Sequence, residues 1–544
     1  MSTVASAPAA RTTGATLVLL TLASGQFLLT LDSSVMNVSI ATVAKDVGTT
    51  VTGIQGAITA YTLVMAALMI TGAKVGAMIG RKRAFAIGCV IYGCGSFTTS
   101  IAPNLPILLF GWSFLEGVGA ALILPAIVAL VAANFAVERR PAAYGLVAAA
   151  GAIAVAVGPL IGGFCTTYFS WRWVFAGEVV LVLAILALTR KIADAPVEKR
   201  PQLDVVGAVL SALGLGLLVF GVLRSSEWGW IHPKSGGPSW AGVSPTIWLI
   251  LFGLLVIWLF FRWQARREES GREPLVRPAM LRNRQLSGGL TMFFFQFLVQ
   301  AGFFFVVPLF LSVALGLSAI ATGVRLLPLS VTLLAAAIGI PRLFPHVSPR
   351  LVVRLGLFGL LAGTVVLMAA LDPDAGPEIV FVPMLLIGLG IGALASQLGA
   401  VTVSAVPDQD SPEVGGLQNT MTNLGASLGT ALAGSLLIAT MTSAFLTNIA
   451  HSAAIPAEAT QQAQVELAGG IPFVSDADLE TALEEQQASP EATEAALAAY
   501  EDARLDGLES ALAILAVLAV LALFLAQWIP RRPGVATAES PPPA

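Results

Sequence analysis

Between residues 15 and 529 the chain returns repeatedly to uncharged or nearly uncharged stretches of about twenty residues or more. A run of that length crosses the hydrocarbon core of a bilayer as one helix, because in lipid each backbone polar group must be bonded within its own segment. The first six runs lie at 15–40, 51–73, 84–102, 105–134, 142–167 and 172–190, and two more at 203–223 and 245–262. The last six lie at 286–312, 320–340, 350–371, 378–404, 413–445 and 508–529. With only 11% charged residues and a mean hydropathy of +0.84, these helices are apolar all round and face lipid or one another. The expected fold is an all-α polytopic membrane protein of fourteen spans: two six-helix bundles plus two additional helices.

The placement of positive charge tests this count, since one helix more or fewer would scramble it. With the N-terminus inside, alternate connections collect Arg81-Lys82-Arg83, Arg139-Arg140, Arg190-Lys191, Lys199-Arg200, seven arginines from Arg262 to Arg284, Arg342, Arg350 and Arg531-Arg532. The opposite connections hold little beyond Lys45, Arg172, Arg224, Lys234 and Arg504. Trp171, Trp173, Trp228, Trp230, Trp248, Trp263 and Trp528 fall at span ends, where interfacial aromatic anchors are expected. The reading is a cell-membrane protein with both termini cytoplasmic. Residues 1–14 form a cytoplasmic tail and 15–190 an N-terminal bundle. The additional pair with its linkers occupies 191–285, and 286–529 a C-terminal bundle with an acidic outer loop at 446–507. Residues 530–544 read as a disordered tail, and Ala477 to Arg504 could form one or two short surface helices within an otherwise solvated loop.

Three acids interrupt the apolar runs: Asp32, Glu116 and Glu178. Each costs a few kcal/mol to place in a membrane, so each carries a functional hypothesis. A carboxyl withdrawn from water favours its protonated form and can exchange that proton for an arriving cation. The plain alternative is a buried hydrogen bond between helices. On the ninth span Gln296 and Gln300, one turn apart, lie among Phe293, Phe294, Phe295, Phe297, Phe303, Phe304 and Phe305. Aromatic rings with a few amides suit a greasy substrate cavity, for which Gln296, Gln300 and Phe297 are the candidates, while most of the seven phenylalanines are expected to face lipid. Arg325 lies near a span end and reads as an interfacial or inter-helix partner. Cys89, Cys94 and Cys165 lie in apolar runs with no metal-ligand spacing and read as packing thiols; His232, His346 and His451 form no cluster. No metal site, cofactor or catalytic residue is expected, nor any nucleic-acid partner. A glycine loop for phosphate, a metal cluster and a nucleophile with a base are all missing from the sequence, which argues against an enzyme.

In the fifth span Gly151, Gly158 and Gly162 stack within roughly 40° on one helical face, a smooth stripe for close helix approach. Pro159 releases a carbonyl and bends the helix. Simple helix packing is one reading and a hinge between bundles another. Gly158-Pro159 followed by Gly162-Gly163 resembles the antiporter motif of the major facilitator superfamily. Leu31-Asp32-Ser33-Ser34-Val35-Met36-Asn37-Val38 resembles the first-helix motif of its fourteen-helix drug:proton antiporters, and Trp171-Arg172-Trp173-Val174-Phe175 is similar to the same family. So is Gly415-Gly416-Leu417-Gln418-Asn419 with Asn423 to Gly429, read as packing more than binding. The likeness covers essentially the whole chain. It implies that Asp32 takes part in cation recognition and proton coupling, that Asn37 lines the cavity, and that a proton gradient supplies the energy.

Gly76 to Arg83 resembles the superfamily's cytoplasmic gating loop. Gly76, Gly80, Arg81, Lys82 and Arg83 are in place, but the usual aspartate aligns with Ala77. On helix four the family's arginine and glutamine align with Ser113 and Glu116, and Glu178 stands where asparagine is common. These departures suggest that Glu116 and Glu178 share the coupling role. The resemblance implies an exporter of small hydrophobic, often cationic drugs or antibiotics in exchange for protons, acting as a monomer in the bilayer. A second reading is export of one endogenous metabolite, lipid or self-made antibiotic with altered coupling; a third is a non-transporting sensor or scaffold.

Overall fold

The structure, a computed structural model, describes residues 12–135, 139–194, 202–234, 237–372, 375–407, 411–467, 470–486 and 488–531. Lys199-Arg200 and most of the two tails read from the sequence therefore lie outside the described residues. Fourteen long helices run through these residues, and no strand is present among them. They are α1 Thr12–Asp46, α2 Val51–Ile79, α3 Arg81–Ser100, α4 Leu105–Asn134, α5 Arg140–Tyr168, α6 Arg172–Thr189, α7 Val205–Trp228 and α8 Pro245–Glu269. The second series is α9 Arg284–Ala314, α10 Ala319–Leu343, α11 Pro349–Ala370, α12 Pro377–Val403, α13 Ser411–His451 and α14 Pro490–Leu525. Thirteen are long and apolar enough to cross a membrane. The remaining one, α3, is shortened in hydropathy by its Arg-Lys-Arg start and its serines and threonines, yet packs between α4 and α6.

Helix starts follow the side chains available. Thr50, Asn104, Asp204, Ser318, Ser348 and Ser489 each accept a hydrogen bond from a backbone N–H in the first turn that follows. Between α2 and α3 the chain reverses on Gly80 at φ 101°, which a side chain would strain.

Helices α1–α6 pack on one another, as do α9–α14, and the two sets meet along two seams, α2 against α13 and α5 against α10. Helix α7 lies against α2 and α13, and α8 packs on α7. At the α2 seam, side chains bond across to backbone: Gln55 Nε2 donates to the Thr430 and Ala431 carbonyls at 3.1 and 3.3 Å, and Ser427 Oγ to the Thr59 carbonyl at 2.9 Å.

The α5 seam is built on the glycine-proline segment. Proline at 159 cannot bond the Val155 carbonyl, and Ser330 Oγ of α10 reaches it at 3.5 Å. A Cβ on Gly163 would stand 2.6 Å from the Ala319 carbonyl oxygen and 2.7 Å from Ile320 Cα. The stripe itself faces the other way: a Cβ on Gly158 would meet Ser34 at 2.5 Å, and one on Gly162 would meet Val35 at 3.0 Å, both on α1. The segment thus joins α1 on one side and α10 on the other. Gly163→Leu should drive α5 and α10 apart by about the width of a side chain; the protein should still insert, and a lower melting temperature in detergent than that of the native chain checks this.

Several expectations are corrected. The 446–507 connection is shorter than read, because α13 continues to His451 and α14 begins at Pro490. Its alanine-rich flanks extend both helices, leaving two short helices, Ala457–Glu466 and Asp476–Glu485. Nor is the loop simply solvated. Ile471, Phe473 and Tyr500 are buried, the Tyr500 hydroxyl bridges the Pro472 carbonyl and the Val474 N–H at 2.8 Å each, and Arg504 pairs with Asp476 at 2.8 Å. Trp171 is no interfacial anchor: it is fully buried and donates to Asp46 at 3.0 Å, whereas Trp173 is exposed. Three of the seven α9 phenylalanines are covered by protein and so do not face lipid. Phe295, Phe303 and Phe305 are buried and the other four half-buried, because α9 sits between α13, α14 and α12. Cys94 is exposed, so only Cys89 packs as a buried thiol.

Candidate functional site

Asp32, Glu116 and Glu178 come from three helices, α1, α4 and α6, and meet. One carboxylate oxygen from each lies within 4.8 Å of the others, and all three side chains are buried. Close helix approach makes the meeting possible. A Cβ on Gly95 of α3 would lie 2.6 Å from Glu116 Cγ, and one on Gly111 of α4 would lie 2.8 Å from Thr99 Oγ1. Without these two glycines α3 could not press against α4. Around Gly111 the helix widens into a π-helical segment, Leu109–Glu116, whose Trp112, Ser113 and Glu116 are all buried. Such segments recur at functional sites because the wide turn redirects side chains.

The indole Nε1 of Trp112 donates to both oxygens of Asp32, at 2.8 and 3.0 Å. Its ring stacks on Tyr61 of α2 at 5.2 Å between centroids and 9° between planes. Ser113, where the family arginine is missing, donates to the Ala57 carbonyl of α2 at 2.8 Å. Ser96 Oγ donates to Glu178 Oε2 at 3.1 Å, and Thr99 Oγ1 lies 3.4 Å from Glu116 Oε1. Glu116 Oε2, Glu178 Oε1 and the hydroxyls of Tyr61 and Tyr92 have no hydrogen-bond partner among the described residues.

No lysine, arginine or histidine among the described residues is paired with the three acids. Two bare carboxylates this close repel by about 3.5 kcal/mol or more at an effective dielectric of about 20, so the group must offset its charge. The sequence pointed to no metal; the oxygens present accommodate either protons or one hard cation.

The other candidates fall elsewhere. Gln296 is buried and Gln300 half-buried on α9, each with an unpartnered amide oxygen. Phe297 and, on α1, Asn37 are half-buried. Neither glutamine is hydrogen-bonded to the acid cluster. Arg325 lines an apolar groove with Val324, Pro328, Val331, Val380 and Phe381, away from the acids. In the glycine-amide segment of α13, Gly425 and Gly429 lie against the α9 backbone at Phe294 and Leu298, while Gly415 and Gly416 have little against them.

In the Gly76–Arg83 loop Arg81 donates to the Ala73 carbonyl at 2.6 Å and packs over Gly76, leaving Arg83 exposed. The carboxylate absent at Ala77 has a counterpart that the sequence did not reveal. Asp194, after α6, accepts from the Lys82 N–H at 2.9 Å, while Lys82 Nζ donates to the Arg190 carbonyl at 3.2 Å. Trp112 was likewise missed: an aromatic in an apolar span looks the same whether it packs, anchors or donates.

Comparison with known proteins places this geometry. The family model described as Major Facilitator Superfamily matches residues 22–231 and 202–430. The chain is 30% identical over 418 residues to the probable actinorhodin transporter of Streptomyces coelicolor, covering 75% of this chain and 69% of that protein. It is also 30% identical over 421 residues to the puromycin resistance protein pur8 of Streptomyces alboniger, covering 76% and 80%. The cephamycin export protein CmcT of Amycolatopsis lactamdurans is 28% identical over 430 residues, covering 78% and 85%. Among solved structures, the inward-facing, unoccupied bacterial homologue of the human lysosomal transporter Spinster aligns with a TM-score of 0.55 at 14% identity, covering 95% and 98%. That likeness speaks to the fold alone.

Proposed function

Because this chain belongs to the major facilitator superfamily, we propose that it exports hydrophobic, often cationic drugs or antibiotics across the cytoplasmic membrane in exchange for protons. The observation that carries the proton reading is the buried group of Asp32, Glu116 and Glu178, drawn from three helices without a basic partner. Protons offset its charge in one state and a substrate cation in the other, which is the exchange that antiport needs. The unpartnered amide oxygens of Gln296 and Gln300 and the half-buried rings of α9 supply apolar area with acceptors for a substrate's N–H groups. The two seams, α2 with α13 and α5 with α10, are where one bundle would rock against the other. In this reading both termini are cytoplasmic, which the arginine-rich alternate connections support.

A narrower reading is supported by the relatives' names, several of which carry a single antibiotic: actinorhodin, tetracenomycin C, cephamycin. In that reading the same machinery serves one product. Export of ethidium from vesicles containing the purified protein, with and without an imposed pH gradient, tests the proposal. Acceleration by the gradient is the expected result. Ethidium movement indifferent to the gradient would sink proton coupling, and no movement of ethidium alongside gradient-driven movement of one of those antibiotics, such as actinorhodin, would select the narrow reading.

A further inference from the structure

The first-helix resemblance assigns proton coupling to Asp32, but the hydrogen bonds divide the three acids differently. Both Asp32 oxygens share one donor, the Trp112 indole N–H, at 2.8 and 3.0 Å. Near-equal sharing of one N–H is the pattern of an ionised carboxylate, whose two oxygens are equivalent acceptors, and an indole can only donate. The donor is immobile. Trp112 is 1% exposed, stacked on Tyr61, and flanked by Ser113, which is bonded to the α2 backbone. Each glutamate, by contrast, keeps a free oxygen: Glu116 Oε2 and Glu178 Oε1 are buried and have no donor among the described residues. Their other oxygens receive the hydroxyls of Thr99 and Ser96, and the Tyr92 hydroxyl faces both glutamates. A hydroxyl can turn and accept, so these partners tolerate a protonated acid as well as a carboxylate.

We infer that Trp112 is a positioning residue that holds Asp32 as the standing anion of the cluster, and that the exchanged protons ride on Glu116 and Glu178. The inference rests on the proton-coupled reading above. It also gives Ser113 a meaning. An arginine there would cancel the charge of Asp32, whereas a neutral indole orients the carboxylate and leaves its charge available to a cation. In the exchange, each glutamate carboxylate takes one proton from the outer medium. When a monovalent substrate cation arrives at Asp32, one of the two glutamate O–H bonds breaks, its electron pair stays on the carboxylate and that one proton leaves to the cytoplasm, so one positive charge leaves the group as one enters it. The titratable groups facing Asp32 are Glu116, Glu178, Tyr61 and Tyr92, and no basic residue among the described residues pairs with it.

The test uses full-length protein. Trp112→Phe keeps a ring to stack on Tyr61 and removes the N–H. Without its donor Asp32 takes up a proton more readily, so the acid-side loss of ethidium export should move to higher pH by about one unit. A purely packing role for Trp112 would change yield or melting temperature and leave the pH profile where it was; that outcome overturns the inference. Infrared difference spectra on ethidium binding give a second readout that does not depend on this variant folding. The protonated-carboxyl bands lost on binding should shrink in Glu116→Gln and in Glu178→Gln and disappear in the double variant. Bands that stay at native size in the double variant, where Asp32 is intact, overturn the assignment. Native protein that releases no proton when ethidium binds overturns the proton-coupled reading itself, and this division of roles with it.

Discussion

Asp32→Asn should abolish gradient-driven export. Asparagine has the size of aspartate and its amide oxygen still accepts from Trp112, so the helix contacts around α1 are kept. What disappears is the charge. A cationic substrate would then lose its buried counter-ion, and removing one member of such a pair costs about 3 kcal/mol or more, roughly a hundredfold in rate or affinity. Initial rates of ethidium export at fixed pH gradient, normalised to reconstituted protein, measure this. A variant within about twofold of native rate, folded by size exclusion, would remove Asp32 from the exchange.

Glu116→Gln combined with Glu178→Gln should uncouple rather than inactivate. Glutamine preserves the hydroxyl contacts from Thr99 and Ser96 but cannot carry a proton. The double variant should therefore still bind ethidium and let it run down its own gradient, while a pH gradient no longer accelerates it. Proton release into weakly buffered detergent on adding ethidium should fall to background, and each single variant should retain part of it. Equal gradient stimulation in native and double-variant vesicles would show that the protons travel elsewhere. The two experiments separate charge from proton carriage: the aspartate variant loses transport, the glutamate pair loses its energy source.

Much of this site was legible residue by residue. Asp32, Glu116 and Glu178 stand out in the chain because an acid in an apolar span is costly enough to need a reason. That they converge was not legible, since they sit on three helices and nothing local encodes which helix packs on which. Trp112 was hidden for a related reason. Its partner lies 80 residues away, and its only local oddity, the widened turn at Leu109–Glu116, leaves no mark in hydropathy. Asp194 was hidden because exposed loop acids are common, and only the reversal at Gly80 brings it to the Lys82 N–H.

The sequence by itself determined how many times this chain meets the membrane and which residues are expensive there. Those are properties of single segments in a uniform solvent, and hydropathy and charge report them directly. Tertiary structure alone decided that the glycine stripe of α5 turns to α1 while Gly163 and the carbonyl freed by Pro159 turn to α10. It alone decided that Phe295, Phe303 and Phe305 of α9 are covered and that the loop before α14 folds down on Tyr500. In lipid an apolar surface gains little by leaving its surroundings, so hydropathy does not say which face of a helix is buried. Close backbone approach and scarce hydrogen-bond partners choose the face, and both exist only once the helices are assembled.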